Sequence, residues 1–459
     1  MLSDKDAKDI IVKNDKFTDD TLIALGVVKK YICENNLIIV GGMAIDLSLR
    51  LKGLKLYDDE TIPDYDFYSP EYNKDAYKIA EKLNQLGLKN ISVINANHIS
   101  TMRVRVNYTV VADVTYIPIN IYNTLPHLIY RGLRIIHPHY QMIDQHRALT
   151  YPYENAPYEV IKHRWKKDAT RYDMLYTYYP LRPKDFKETG EIEFMGEIKI
   201  SNIIFKNQCI GGFAGLMYWE AYAKKLGYSG GGVKLGSISE DVNGFVIKIP
   251  IDSHGISIYS NDIMGLYNNL DKKFDIKKKR QYNRFLDKLP YKIILDNKWE
   301  LFDNSGSMLG AYKTKGDIYI ANLQAVMLYM LTNLILLQKI KDVERGYTFY
   351  LGYIKAQSLV MWAGDLYKKN TNKNYCPLLP SVDVYGSEEI SDSYINSKRI
   401  FLEKLHMRDP CIFQPDIIFP DTFVGGLIPK KYYNFKPYKS PILNFDGCES
   451  SVYKKRIYL

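Results

Sequence analysis

The chain has 459 residues, enough for two or three domains, and 62 Lys and Arg against 52 Asp and Glu give it a net charge of +10. No apolar run approaches the roughly 18–20 residues of a membrane-spanning helix. Five scattered cysteines (Cys33, Cys209, Cys376, Cys411, Cys448) show neither metal-type spacing nor the density of a disulfide scaffold, which suits a reducing compartment. The positive balance favours a polyanionic partner, although a moderately basic soluble protein carries such a balance too. The 40 tyrosines can stack on bases, or reflect an AT-rich coding sequence.

The first ten residues, MLSDKDAKDI, are charged and polar and do not read as a secretory signal. Within Thr21–Cys33, the residues Leu22, Leu25, Val28 and Ile32 recur at helical spacing, which predicts a helix packed on a sheet. The apolar run Leu37–Val40 then ends in Gly41-Gly42, and Met43, Leu47 and Leu51 follow at helical spacing. A polar turn leads to Pro63-Asp64-Tyr65-Asp66-Phe67, so the stretch reads as strand, Gly-Gly turn, helix, strand. Side chains alternate along a strand, so Asp64 and Asp66 share one face while Tyr65 and Phe67 point into a core. Two neighbouring carboxylates repel unless a positive partner lies between them, and a hard divalent cation such as Mg²⁺ fits oxygen donors and phosphates together. A Gly-Gly turn opening a helix lets backbone approach a phosphate, and Gly41 and Gly42 are the candidate nucleotide-binding residues. The alternative is a solvated turn with two surface carboxylates.

Ala76–Leu88 reads as a helix and Ile91–Ile94 as a strand. In Met102–Tyr108, Arg103, Arg105 and Asn107 alternate with Val104, Val106 and Tyr108, which predicts a half-exposed strand turning near Asn107–Thr109. The next strand, Val110–Ile117, carries a lone Asp113. A charge in a buried strand is paired or binds metal, so Asp113 is either a third ligand or a structural carboxylate paired with an arginine.

Gly41-Gly42, then Asp64-x-Asp66, then Asp113 in a strand resembles the nucleotidyltransferase fold of the DNA polymerase β superfamily. The Pro63–Ser69 stretch and the rest of the chain narrow this to the poly(A) polymerases of large DNA viruses, of poxvirus and mimivirus type. The resemblance implies an α+β (or α/β) catalytic domain. In it Asp64, Asp66 and Asp113 act as catalytic residues and as ligands of two Mg²⁺ (or Mn²⁺) ions. It implies template-independent transfer of AMP from ATP to an RNA 3′ end, with pyrophosphate released by a two-metal mechanism. It also implies a homodimer working in the virion or the host cytoplasm, with no membrane partner. Another nucleotidyltransferase, adding CCA or modifying a small molecule or protein, would keep the same triad, and a non-catalytic RNA-binding subunit is the rival from another class.

Leu133–Ile136 reads as a strand and Met142–Tyr151 as a helix; His137, His139 and His146 suit structural or substrate-contacting roles better than a metal site. In KHRWKKDATR (Lys162–Arg171), Arg164, Lys167 and Arg171 share a helix face with Asp168, and either hold the triphosphate or the RNA backbone or form a solvated basic face. Pro180–Lys184 marks a boundary. After it, Ile203–Phe205 and Cys209–Leu216, with Gly211-Gly212, resemble Leu37–Leu47, and Gly316–Ile320 precedes the apolar helix Leu323–Leu337. Ser237–Asp241 and Phe245–Pro250 occur where an Asp-x-Asp strand is expected. This predicts a second, degenerate nucleotidyltransferase-like domain, or an unrelated α/β domain opening on Gly-Gly. Lys277, Lys278, Lys279 and Arg280, followed by Tyr282, Arg284 and Lys288, are candidate RNA contacts or a solvated surface. The expected organisation is a catalytic domain over 1–180, a degenerate domain over 181–370 ending in a helix over 340–368, and an irregular extension over 371–459.

Overall fold

The computed structural model describes residues 16–58, 61, 63–96, 101–107, 109–117, 119–150, 161–181, 191–282, 292–304, 309–369, 384–385 and 417–419. The extension expected over 371–459 therefore lies almost wholly outside the described residues, as do Arg284 and Lys288. The elements begin with α1 (Lys16–Glu34), β1 (Ile38–Val40), α2 (Gly41–Arg50), β2 (Tyr65–Ser69), α3 (Tyr72–Gln85), β3 (Ile91–Asn95), β4 (Thr101–Val106) and β5 (Thr109–Tyr116). They continue with α4 (Ile119–Tyr122), β6 (His127–Tyr130), β7 (Leu133–Ile136), α5 (Pro138–Thr150) and α6 (Ile161–Tyr178). Next come β8 (Ile198–Ser201), β9 (Cys209–Ile210), α7 (Gly212–Lys225), β10 (Ser237–Asp241), β11 (Gly244–Lys248), β12 (Ile256–Ser260) and α8 (Ile263–Phe274). The last are β13 (Lys279–Tyr282), β14 (Lys292–Leu295), β15 (Trp299–Asp303), β16 (Leu309–Lys313), β17 (Tyr319–Ala321), α9 (Leu323–Lys339), α10 (Val343–Lys369), β18 (Val384–Tyr385) and β19 (Ile417–Phe419).

Two compact units result, divided between Gln141 and Met142, with β19 joining the first. The first unit holds a mixed sheet in the order β19-β3-β4-β5-β2-β1-β7-β6. The pairs β2–β5 and β1–β7 are parallel and the others antiparallel. Ile38, Ile39, Phe67, Val104, Val111 and Val114 are fully buried in its core. Phe67 and Tyr65 face inward, as the alternation on β2 predicts. Helix α3 begins at Tyr72, four residues before the expected Ala76, because Tyr72 and Tyr77 extend its buried face. A buried carboxylate fastens that helix: Asp75 accepts from Tyr31 Oη of α1 (2.7 Å) and from Ser69 Oγ at the end of β2 (2.5 Å). Such a carboxylate is tolerable inside because its oxygens are hydrogen-bonded. Helix α5 starts at Pro138, a residue suited to a first helical position since it has no N–H to leave unpaired.

The second unit holds a sheet in the order β13-β14-β15-β12-β9-β17-β16-β18, and a smaller one, β10-β11-β8. Here β12–β15 and β9–β17 are parallel, and the other pairs antiparallel. Strands β3, β4, β5, β2, β1, β7 and β6 of the first sheet thus have counterparts, in the same order and sense, in β13, β14, β15, β12, β9, β17 and β16. A helix follows β1 and β9, β2 and β12, and β7 and β17 alike. Helix α9 is buried on all sides, as its apolar sequence predicts. Among the described residues no helix is long and apolar enough to cross a membrane.

Three sequence expectations are corrected. Ile203–Phe205 is a turn rather than a strand, and β9 is two residues long. The strand matching β2 is β12, not Ser237–Asp241, because the hairpin β10–β11 is inserted ahead of it. Finally, Gly212, not Gly211, matches Gly41: both have positive φ (+56° and +66°) and both open a helix.

Candidate active site

The parallel register of β2 and β5 places Asp66 beside Asp113, and the antiparallel register of β4 and β5 places Arg103 on the other side of Asp113. Val40, Asp66, Asp113 and Arg103 therefore form one row across four strands, on one face of the sheet. Asp64 lies one residue ahead of β2 and joins the row from the strand entrance. Carboxylate oxygens of Asp64, Asp66 and Asp113 all lie within 4.8 Å of one another. Asp64 and Asp66 are partly exposed, and Asp113 is buried.

Gly41 is fitted to this cluster. Its φ of +66° is a conformation that side chains resist, and a Cβ there would collide with Asp66 Oδ2 and lie 3.0 Å from Asp66 Cγ. The sharp turn also aims the N-terminus of α2 at the acidic row. Val40 precedes that helix with no side-chain cap, so the helix start keeps its attraction for negative charge. Behind it, Asp46 of α2 accepts from the backbone N–H groups of Leu56 and Tyr57 (2.7 and 3.0 Å) and from Arg50 Nε (2.6 Å). This pins the loop that leads to Asp64. Nothing in the sequence marked Asp46, which looks there like one polar residue on an apolar helix.

One carboxylate of the row has a described cationic partner. Arg103 donates to both oxygens of Asp113, through Nε at 2.8 Å and Nη2 at 2.7 Å. Asp113 is therefore paired with an arginine, as one of its two sequence readings has it, and it also belongs to the acidic cluster. The Arg103 guanidinium is pushed above its usual range, chiefly by those hydrogen bonds. Burial, and next the negative charge of Asp113, push the Asp64 carboxyl up, while its own backbone and Arg103 pull it down. Three clustered oxygen donors whose mutual repulsion raises one pKa match the needs of a hard divalent cation, and they fit Mg²⁺ or Mn²⁺ better than a soft metal.

The pairing of Arg103 with Asp113 depends on a β-bulge. The β4–β5 register shifts between Val104 and Arg105. Counting back from the turn at Asn107 without that extra residue would set Arg103 against Ala112, on the wrong face. The alternation of Arg103 and Arg105 signalled a half-exposed strand, and only the bulge fixed which one meets Asp113.

The other candidates belong to other elements. Arg164, Lys167 and Arg171 are on α6, in the second unit, whereas the triad belongs to the first. Lys167 is exposed and Arg171 half-buried, while Asp168 on the same helix is buried. Lys277, Lys278, Lys279 and Arg280 are exposed at the outer edge of the second large sheet, where β13 is the edge strand. Asp296 accepts from the backbone N–H groups of Lys277 and Lys278, and Lys279 Nζ stands 3.9 Å from the Tyr267 ring centroid. His137 accepts from the His139 backbone N–H (3.2 Å), and burial, aided by His139, holds its pKa down at about 4. His146 is wholly buried against Tyr172, and burial holds its pKa at about 3.

Comparison with known proteins agrees with this geometry. Residues 26–155 match the family model of the poly(A) polymerase catalytic subunit. An African swine fever virus protein described as a poly(A) polymerase catalytic subunit is 42% identical over 191 residues, which span 42% of this chain and 39% of that relative. A protein of the same description from Acanthamoeba polyphaga mimivirus is 25% identical over 260 residues, 53% of this chain and 43% of the relative. The sequence matches thus span less than half of these relatives' length. The crystal structure of the Megavirus polyadenylate synthase superposes with a TM-score of 0.67 at 18% identity, covering 96% of this chain and 88% of that one. Residues 26–155 are therefore similar to the poly(A) polymerase catalytic subunits, and the chain as a whole shares the fold of the Megavirus polyadenylate synthase.

Proposed function

We propose that this protein is a catalytic poly(A) polymerase, adding AMP from ATP to RNA 3′ ends without a template and releasing pyrophosphate. The observation that carries the reading is the convergence of Asp64, Asp66 and Asp113 within 4.8 Å, beside a glycine turn that opens a helix. Asp64 and Asp66 would hold divalent cations together with ATP phosphates, and Asp113 would complete the site nearest the RNA end. When bound, such ions activate the 3′-hydroxyl and neutralise charge on the phosphates. The chain itself supplies position. Gly41 lets Asp66 sit against the turn, Asp46 fixes the approach to Asp64, and the N-terminus of α2, with Gly41 and Gly42, favours the anionic phosphates.

Supplying the protein with an oligo(A) primer, Mg²⁺ and one nucleoside triphosphate at a time tests the activity. A long ladder with ATP alone is expected. Addition of C and A in a fixed short sequence would instead identify a CCA-adding enzyme, and RNA binding without incorporation a non-catalytic subunit. Asp64→Ala and Asp66→Ala should each abolish incorporation while leaving the fold intact; normal activity in either would remove the triad from the mechanism.

The second unit is read as a degenerate copy of the first, on the strength of the matching strand order and sense. At the positions of Asp64 and Asp66 it carries Gly255 and Ser257. Gly255 has φ +103°, and a Cβ there would run into the Lys298 backbone and stand 2.7 Å from Trp299 N, so no ligand fits. The cationic edge Lys277–Arg280 is proposed as an RNA contact, supported by its exposure and by Tyr267 beside Lys279. Arg164, Lys167 and Arg171 are proposed to hold the triphosphate or RNA backbone, and the working form is proposed to be a homodimer, which light scattering would check.

A further inference from the structure

Arg105 stands two residues beyond Arg103 on β4, about 7 Å along the strand. That strand buries Met102, Val104 and Val106, and α3 packs on it, so Arg103 and Arg105 both stand on the other face, which carries the acidic row. Their surroundings differ. Arg103 meets Asp113 of β5, whereas the register partners of Arg105 are Ser92 of β3 and Val110 of β5, neither of them an acid. Arg105 is half-buried, its Nε is shielded from solvent and meets no acceptor, and no ion pair to it occurs among the described residues. A shielded guanidinium nitrogen without an acceptor is costly unless a ligand supplies the oxygen.

The second sheet shows that the strand layout does not call for this cation. Glu300 occupies the place of Asp113 there, since Ser257 pairs with Glu300 as Asp66 pairs with Asp113. From that row β14 runs on by one residue, from Ile294 to Leu295, before the chain turns, while β4 runs on by three, from Arg103 to Val106. The longer hairpin, with its bulge, is what carries Arg105. Two residues past the row the second sheet has Asp296, already in the turn at φ +50°, and its carboxylate accepts from the backbone N–H groups of Lys277 and Lys278. The arginine thus accompanies the sheet with three clustered carboxylates, and an acid stands in its place in the sheet without them.

A phosphate oxygen is the acceptor a guanidinium binds best, and the proposed function brings two sources of it, the triphosphate of ATP and the RNA backbone. The glycine turn and the start of α2 lie at β1, three strands from β4 in the order β1-β2-β5-β4, hence about 14 Å away. Asp113, assigned to the RNA end, lies on the strand next to β4, and Arg105 stands diagonally across from it at about 7–8 Å between Cα atoms. We propose that Arg105 is an RNA-binding residue that takes a backbone phosphate within the last few nucleotides of the primer and so holds the 3′ end at Asp113. This rests on the triad being the centre of an RNA-extending enzyme, as the proposed function has it.

The test reads RNA binding apart from catalysis. A short labelled oligo(A) is titrated with full-length wild type, Arg105→Gln and Arg105→Lys in chelator without ATP, across salt concentrations, and KM for oligo(A) and for ATP is then measured in Mg²⁺. Arg105→Gln should bind oligo(A) about tenfold more weakly and flatten the plot of log affinity against log salt by about 0.7, the share of one phosphate on a single strand. Its KM for oligo(A) should rise about tenfold while KM for ATP stays within about twofold. Arg105→Lys, which keeps the charge and loses the fork, should keep the salt slope and fall between the two in affinity. Replacing one linkage at a time by an uncharged methylphosphonate should reveal a linkage near the 3′ end whose neutralisation costs wild type about tenfold and Arg105→Gln nothing more. Unchanged oligo(A) affinity and salt slope in Arg105→Gln, whatever its thermal midpoint, overturns the inference. A rise in KM for ATP in place of that for oligo(A) overturns it too, since the arginine would then serve the triphosphate. Should Arg105→Gln not fold, a methylphosphonate scan of wild type in which no linkage near the 3′ end matters overturns it. If wild type adds no AMP yet Arg105→Gln shows the binding loss, the RNA contact stands and it is the polymerase reading that fails.

Discussion

Gly41→Ala is the most direct probe of how the turn serves the acidic row. The left-handed backbone at φ +66° costs an alanine about 1–2 kcal/mol. The new methyl would overlap Asp66 Oδ2 and lie 3.0 Å from Cγ and 3.1 Å from Cβ. Carbon atoms settle at about 3.5–4.0 Å, so the Asp66 carboxylate must retreat by roughly half an ångström or more. Displacements approaching an ångström at reacting groups cost on the order of 10²-fold in rate. The expected outcome is an unfolding free energy lower by about 1–3 kcal/mol and a kcat for AMP incorporation lower by about two orders of magnitude. The internal control is Gly212→Ala, at φ +56°, where the methyl would overlap Ser257 Oγ and stand 2.9 Å from its Cβ. It should cost similar stability and leave the rate per folded molecule unchanged. Urea unfolding and primer extension on the same preparations measure both. Full activity in Gly41→Ala, or equal catalytic losses in the two variants, would refute the idea that the glycine exists to seat Asp66.

Three further expectations follow from the same geometry. Because the Asp64 carboxyl is raised above its usual 3.8, it binds a proton more tightly folded than unfolded. That group therefore adds stability at acidic pH and withdraws it as the pH climbs from about 3.8 through the folded value. Asp64→Asn should flatten this part of the stability profile in chelator, and an unchanged slope in thermal scans would contradict the assignment. Lys292→Met leaves Glu300, fully buried, without its cation and should cost about 3–5 kcal/mol in denaturant unfolding. A loss under 1 kcal/mol would mean that Ser257 and Tyr329 hold Glu300 unaided. Charge reversal at Lys277 and Lys278 should weaken RNA binding and flatten its salt dependence while AMP transfer to a very short primer persists, as filter binding across salt concentrations would show; an unaltered salt slope would take the RNA path away from β13.

The sequence made the first sheet legible because each of its signals was local. Gly-Gly after Leu37–Val40, two aspartates at strand spacing and one aspartate in a β-branched run survive small errors in boundaries. Arg103 was harder, since a single bulged residue decides whether it or a neighbour faces Asp113. The second sheet was half legible. Gly211-Gly212 announced a repeat, but the tandem glycines suggested an alignment one residue away from the structural one. The inserted hairpin β10–β11 then hid the strand that matches β2. Asp46 and Asp75 were invisible because their partners are backbone amides and side chains distant in sequence.

The two sheets also separate what the fold requires from what the chemistry requires. Glu300 sits with no solvent exposure, and burial alone would push its carboxyl up, yet Lys292 and then His254 outweigh burial, so that it is held below the usual range. Ser257 Oγ and Tyr329 Oη donate to its other oxygen at 2.9 and 2.8 Å. Every acceptor of that carboxylate is thus answered from within the protein, and an added cation would displace existing bonds for no gain in charge balance. Asp113 in the first sheet is answered by one arginine, while two further carboxylates face it. If the sheet alone demanded a charged residue at this place, both sheets would be closed in the same way. The second sheet thus saturates the position from within the protein, whereas the first gathers three carboxylates there, an arrangement that the proposed cation and phosphate chain would offset.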